Sequence, residues 1–472
     1  MKDCVYEQER PQPQKAERYP KTDNLNVCLL NDSFPPVIDG VANAVTNYAE
    51  VISEGLGSAT VVTPEYPDAQ DNFGFDVVRY RSVGITEKLI GYRAGYPFSS
   101  SALEELAAED FDILHTHCPF ASAMMARVLR EKTNVPLVMT YHTKFDVDIA
   151  RAFPDAPHLC KQITKFVVNN ISACDEVWTV SHGAGENLKS LGYEGDFIVM
   201  ENGVDFPRGR ADGSKACELR SRYAIPQDLV MFMFVGRMMW YKGIRLILDS
   251  LKRLHEKNVD FRMMFVGDGI DRPEIEAYAK ELGIYDKCVF AGAVNDREQL
   301  RVFYTAGDLF LFPSSYDTNG IVVREALACG VPSLLLRGSC AAEGITDGRT
   351  GVLCEPDPED IALKLEFAAS HRSEMHMIGE RAMNEVYISW ETAVKRAYDR
   401  YFAVIEKCMS GQSDRRRNKP IQEDFFKLMD NATDNVQRVR EIPVDIQKRV
   451  YRYRDKVRTT FDEFKQILKK NK

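Results

Sequence analysis

From Leu25 onward, short apolar runs alternate with amphipathic segments, and this alternation constrains the fold more than any other feature of the chain. The runs are Asn26–Leu30, Thr60–Thr63, Asp76–Tyr80, Ile113–His115, Leu137–Tyr141, Val177–Val180 and Ile198–Met200. Each has strand length and lacks the polar alternation of a half-exposed strand, so they read as strands buried on both faces, as in a parallel sheet. Between them lie helical patterns. In Gly40–Ile52, for example, Val41, Ala44, Val45, Tyr48, Ala49 and Ile52 share one face. Strand, helix, strand in this order predicts a doubly wound α/β domain.

The pattern then restarts. Val230–Val235 is a strongly apolar strand, followed by a glycine-containing turn and a helix over Ile244–Lys257. Further strands are expected at Arg262–Val266, Cys288–Phe290, Leu309–Phe312 and Ser333–Leu336. The expected organisation is a polar lead-in (1–24), a first Rossmann-like domain (25–206) and a second (207–383). A helical stretch, 384–410, and a basic helical tail, 411–472, complete it. Asp205–Ser214, rich in Pro, Gly and charge, reads as the linker between the domains.

Composition excludes several classes. With 44% hydrophobic and 28% charged residues the chain is that of an ordinary globular protein. No run of 18 apolar residues is present, and the lead-in lacks the apolar stretch of a secretory signal, so a cytoplasmic protein is expected. Eleven cysteines without a C-x-x-C pair read as reduced thiols and offer no zinc site. The net charge of −9 is unevenly spread: residues 411–472 carry 17 Lys and Arg against 10 Asp and Glu, a balance of +7 on an acidic body. Such a tail suits an anionic partner, a membrane surface among them, or packing on the body or a second subunit. No nucleic-acid partner is expected.

Four segments carry candidate chemistry. In Ser314–Gly330, Asp317 lies just past a strand and Glu325 about one turn into the next helix, flanking a Thr-Asn-Gly turn. Backbone N–H groups at such a helix start suit an anion or sugar hydroxyls, and two carboxylates accept several hydroxyl hydrogen bonds. The alternative is that Asp317 caps the helix while Glu325 is solvated. In Val235–Gly243, Arg237 and Lys242 follow the first strand of the second domain, where two cations suit a diphosphate, and Gly236 and Gly243 would let a ligand approach. In Pro35–Val41, Gly40 opens a helix whose N-terminus can receive a phosphate. In Thr140–Phe145, His142 ends a strand on the ligand-binding side of an open sheet, and His115 and His117 end the strand before it. Two weaker glycine pairs, Gly183/Gly185 and Gly267/Gly269, do not complete a G-x-G-x-x-G motif.

Together these residues resemble the retaining glycosyltransferases of GT-B fold and family-four type, over roughly residues 25–408. The order matches: glycine loop, strand-end histidine, G-R-x(4)-K-G, then a spaced acidic pair, here Asp317-x7-Glu325 where the family has E-x7-E. The resemblance implies two Rossmann-like domains facing across a cleft, with the 384–410 helix returning to the first domain. It implies that Glu325 bonds the ribose of a nucleotide-sugar donor. Asp317 and the backbone of Asn319, Gly320 and Ile321 would hold the sugar. Arg237, Lys242 and Gly40 would receive the diphosphate, and His142 would lie near the reacting centre. It further implies retention of configuration by front-face attack, with no cofactor.

No metal is expected. The second domain has no Asp-x-Asp; Asp110-Phe-Asp112 leads into a strand, and Asp146-Val-Asp148 reads as a solvated helix start. Asp at 317 and Thr-Asn-Gly in place of a Gly-Phe-Gly-like turn fall on the sugar side and leave the sugar open. The Thr-Tyr-His-Thr-Lys-Phe and Pro-Pro-Val-Ile-Asp-Gly segments are similar to those of diacylglycerol glucosyltransferases, pointing to a lipid hydroxyl acceptor and a peripheral place on the inner face of the membrane. The alternatives are a polysaccharide or soluble acceptor, or a non-catalytic protein on the same fold.

Overall fold

The computed structural model of the protein describes residues 24–37, 39–84 and 93–411; the expected lead-in (apart from Asn24) and the basic tail after Gly411 lie outside them. The chain begins with β1 (Asn26–Leu30), β2 (Ser58–Pro64) and β3 (Asp76–Tyr80). A short antiparallel hairpin, β4 (Ser82–Gly84) and β5 (Arg93–Gly95), follows. Then come β6 (Ile113–Thr116), β7 (Leu137–Tyr141), β8 (Glu176–Thr179) and β9 (Ile198–Val199). Apart from the hairpin these form one parallel sheet in the order β3-β2-β1-β6-β7-β8-β9. Val27 pairs with Ala59 on one side and Ile113 on the other. Parallel pairing requires a crossover between neighbours, and the helices supply it while covering both faces.

The second domain repeats the scheme with β10 (Met231–Val235), β11 (Arg262–Val266), β12 (Cys288–Gly292), β13 (Leu309–Phe312), β14 (Ser333–Leu336) and β15 (Val352–Cys354). Their order is β12-β11-β10-β13-β14-β15, all parallel. Every residue of β10 is buried. In both sheets the order reverses once, between β1 and β6 and between β10 and β13. At such a reversal the flanking loops diverge and leave a crevice at the carboxyl ends of the strands.

The core of the second domain runs from Val204 to Ala382. The stretch expected as a linker is packed down: Phe206 is buried, the Arg210 guanidinium donates to the carbonyls of Gly330 (3.2 Å) and Thr305 (2.9 Å), and a helix already begins at Gly213. The helix Trp390–Met409 leaves the second domain and buries Trp390, Val394, Tyr398 and Tyr401 in the core of the first. The Tyr398 hydroxyl accepts from Leu25 N (2.5 Å) and donates to the Leu56 carbonyl (2.6 Å). Arg400 binds both carboxylate oxygens of Glu176, at 2.9 and 2.6 Å. All cysteines among the described residues are free thiols. No helix among the described residues is long and apolar enough to cross a membrane.

Candidate functional site

Arg237, Lys242 and Asp317 lie in the loops at the β10/β13 reversal and Gly40 in the loop after β1, while His142 follows β7 and Glu325 lies in the helix after β13. At the end of β10 the chain turns through Gly236 and Arg237 into a 3-10 turn, Trp240–Lys242, and Gly243 (φ +82°) starts the helix Ile244–Glu256. A Cβ on Gly243 would lie 2.2 Å from the Pro313 carbonyl oxygen. The neighbouring loop of the same domain therefore already demands a glycine there. Arg237 is exposed and forms no ion pair among the described residues.

At the end of β13 the loop carries Asp317, and Gly320 (φ +64°) starts the helix Ile321–Ala328. Asp317 does not cap this helix. One of its carboxylate oxygens binds Lys242 Nζ and the other accepts from Ser314 Oγ at 2.7 Å. The lysine and carboxylate of the two motifs thus meet across the sheet reversal. Glu325 is not solvated either: it is 4% exposed. Arg297 donates to it at 2.8 Å and the Tyr304 hydroxyl at 2.9 Å. Burial raises its pKa, and Arg297 and Tyr304 offset part of that. Neither Arg297 nor Tyr304 stood out in the sequence, because nothing in the local pattern marks a residue that supports a carboxylate on another helix.

Across the cleft, Asp39 caps the helix Gly40–Gly55 by accepting from Val41 N (2.9 Å) and Ala42 N (2.7 Å). A Cβ on Gly40 would lie 3.5 Å from Ile321 Cδ1, so the glycine loop and the start of the second-domain helix stand face to face. His142 ends β7 with its Nε2 2.9 Å from His117 Nδ1, the rings stacked at 5.2 Å. His115 is engaged on both sides, Nδ1 with the Tyr401 hydroxyl and Nε2 with Thr140 Oγ1, each at 2.7 Å. Burial pushes the pKa of His142 down to about 3 and those of His115 and His117 well below the usual value, so all three rings are neutral at physiological pH. His115 has no nitrogen to offer a metal, and no metal-binding cluster of His, Cys, Asp or Glu exists among the described residues.

The remaining motifs have structural explanations. Asp112 accepts from Asn26 N at 2.8 Å. Asp146 and Asp148 are not a solvated helix start: Asp146 accepts from Asn187 Nδ2 (3.3 Å) and Asp148 binds the Tyr316 hydroxyl of the other domain. A Cβ on Gly267 would collide with the Gly236 carbonyl, so that pair serves loop packing. On the same rim the Arg151 guanidinium lies 3.8 Å over the Tyr241 ring and 4.5 Å over that of Tyr316, and Lys144 Nζ donates to the Ser315 carbonyl at 3.0 Å.

Two family descriptions match the two domains. Glycosyltransferase Family 4 covers residues 38–208 and Glycosyl transferases group 1 covers residues 217–385, together more than half of the chain. The chain belongs to this family of GT-B glycosyltransferases. An alpha-monoglucosyldiacylglycerol synthase of Streptococcus pneumoniae is 22% identical over 417 residues, covering 86% of this chain and 91% of that protein. The sulfoquinovosyl transferase SQD2 of Arabidopsis thaliana is 27% identical over 385 residues, covering 78% and 71%. The Anabaena protein HepE, solved with UDP and glucose, shares the fold at a TM-score of 0.64 with 16% identity, covering 80% of this chain and all of that one.

Proposed function

We propose that the protein transfers a hexose, with retention of configuration and without a metal ion, from a UDP-linked donor to the hydroxyl of a membrane lipid such as diacylglycerol. The observation that carries this reading is the meeting of Lys242 and Asp317 at the β10/β13 reversal, opposite Gly40 and His142. Arg237 and Lys242 would neutralise the diphosphate as it leaves, a task that requires fixed positive charge where negative charge develops. When Lys242 turns to the phosphate, Asp317 keeps Ser314 on one oxygen and offers the other to a sugar hydroxyl. The backbone N–H groups at Asn319, Gly320 and Ile321 start a helix and suit the remaining hydroxyls. Glu325 retains lone pairs beyond those used by Arg297 and Tyr304, and these would receive the ribose.

His142 enters as a neutral hydrogen-bonding group, because an imidazole held near pKa 3 carries no charge to a diphosphate. The bond between the anomeric carbon and the diphosphate oxygen breaks, and the acceptor oxygen bonds that carbon from the same face. The acceptor proton passes to the leaving phosphate oxygen. The lipid acceptor rests on the Streptococcus relative, whose name carries diacylglycerol, and on the motifs around Gly40 and His142.

The test is to incubate the purified protein with a panel of nucleoside-diphosphate sugars and diacylglycerol vesicles. Released nucleoside diphosphate is measured, and the product linkage is read by proton NMR. An α-linked glycolipid from an α-linked UDP-sugar is expected. A β-linked product, or no diphosphate released from any donor, would overturn the proposal.

A further inference from the structure

We propose that Thr318, Asn319 and Glu343 are positioning residues: they grip backbone groups of the first domain and thereby hold the sugar-binding turn in register with His142. This rests on the transferase reading above. The turn is where the sequence departs from the family pattern, and a departure there reads at first as a change in sugar contacts. The side chains do something else. Thr318 Oγ1 donates to the carbonyl of His142, and Asn319 Nδ2 donates to the carbonyl of Val180 at 2.9 Å. His142 and Val180 follow β7 and β8, which are neighbours in the first sheet. Two successive residues of the turn therefore bond to two successive strand ends of the opposite domain. Neither glycine nor phenylalanine, the residues of the commoner turn, has a side-chain donor for this.

Glu343 makes the third contact. Its carboxylate oxygens accept from His182 N and Gly183 N, each at 2.6 Å. These are leading N–H groups of the helix His182–Ser190, which have no partner within the helix and lie at its positive end. Ser181 caps the same helix by accepting from Ala184 N at 3.1 Å, so its remaining leading donors fall to the other domain. The fit leaves no slack: a Cβ on Gly183 would lie 2.7 Å from Cys340 Sγ and 3.1 Å from Glu343 Oε1. The two gripping segments also pack on each other, since a Cβ on Gly320 would lie 3.0 Å from that of Ala341. Lys144 and Asp148 hold the loop at Ser315 and Tyr316, but the bond from Thr318, next to Asp317, is the one that ends on the His142 backbone itself and so sets the sugar carboxylate against the histidine. A misplacement of about 1 Å costs a transfer reaction roughly a hundredfold.

The experiment compares wild type with Thr318→Val, Thr318→Ser, Asn319→Val and Glu343→Gln. Valine keeps the shape of threonine and removes only the donor. Thr318→Val should lower kcat ten- to a hundredfold while leaving donor KM within about threefold, because Arg237, Lys242 and Glu325 are untouched. Thr318→Ser should restore kcat. Small-angle X-ray scattering without substrate gives a readout independent of turnover: the Asn319→Val/Glu343→Gln pair should increase the radius of gyration. Wild-type kcat in Thr318→Val, failure of serine to rescue it, or an unchanged radius of gyration in the pair would overturn the grip. If wild type itself releases no diphosphate from any donor, the transferase reading fails. The scattering result still decides whether these side chains hold the domains together.

Discussion

Acid should unfold this protein through its histidines. His115, His117 and His142 are buried, neutral and lined by one another rather than by carboxylates. In the unfolded chain a histidine titrates near 6.5, whereas His142 in the fold is held at about 3. Between those values the unfolded chain binds a proton that the folded chain refuses. Stability contributed by the neutral ring is therefore complete above pH 6.5 and is lost as pH falls through the window. From pH 7 to pH 5 the loss comes to roughly 2 kcal/mol for His142 alone. His115 and His117 are shifted in the same direction by burial, so they add to the loss over the same window. Urea unfolding followed by tryptophan fluorescence at pH 7 and pH 5 measures it. His142→Gln, which keeps a polar partner for His117, should lose roughly 2 kcal/mol less stability over that interval. Equal pH dependence in wild type and variant would refute the reasoning. Activity should show no step near pH 6.5 from His142, because the folded ring has already lost its proton there.

Three further outcomes follow from the site. Arg237→Ala and Lys242→Ala should each lower kcat/KM at least about a hundredfold, roughly 3 kcal/mol of lost charge stabilisation; near-wild-type turnover in either would remove that residue from the diphosphate site. Activity should persist after exhaustive chelation, and an activity that vanished and returned only with Mn²⁺ or Mg²⁺ would contradict a metal-free mechanism. A chain ending at Cys408 should still transfer sugar to a soluble acceptor but sediment less with anionic vesicles, the difference shrinking as salt rises; unchanged vesicle binding would refute a membrane role for the basic tail.

The strands were legible because a parallel sheet covered on both faces needs continuous apolar runs, and Phe232, Met233 and Phe234 leave no other reading. The strand β15 and the hairpin β4/β5 were not, because three residues carry no period and Val83 is 44% exposed. The helical stretch expected over 384–410 is a helix only from Trp390 to Met409, and its start depends on a cap, Ser389 accepting from Thr392 N, that the apolar pattern does not register. At the site, spacing placed Asp317 and Glu325 past the right strand but could not say that one pairs with Lys242 and the other is buried under Arg297. Those contacts join residues 75 and 28 positions apart. The grip of Glu343 was invisible for a deeper reason: its partners are backbone N–H groups, which every sequence has.

The chain crosses between domains twice, and the two crossings lie side by side. Val204 pairs with Ser389 as an isolated bridge, and Val204 N donates to the Ile388 carbonyl at 3.0 Å. A Cβ on Gly203 would lie 2.4 Å from the Trp390 backbone, so the strands of the crossing touch. Just beyond, Val204 and Phe206 enter the second core while Trp390 enters the first. Both crossings are thus anchored in apolar packing at one edge of the cleft. Other contacts between the domains join the loops after β7 and β8 to the loop after β13 and to Glu343. There the contacts are polar: Thr318, Asn319 and Glu343 on carbonyls and N–H groups, with Arg151 stacked on Tyr241 and Tyr316. Polar contacts of this kind exchange for water at a net cost of about 1 kcal/mol each, far less than the cost of exposing a domain core. The apolar crossings are therefore the costlier contacts to break, and the polar grip at the sugar-binding turn the cheaper.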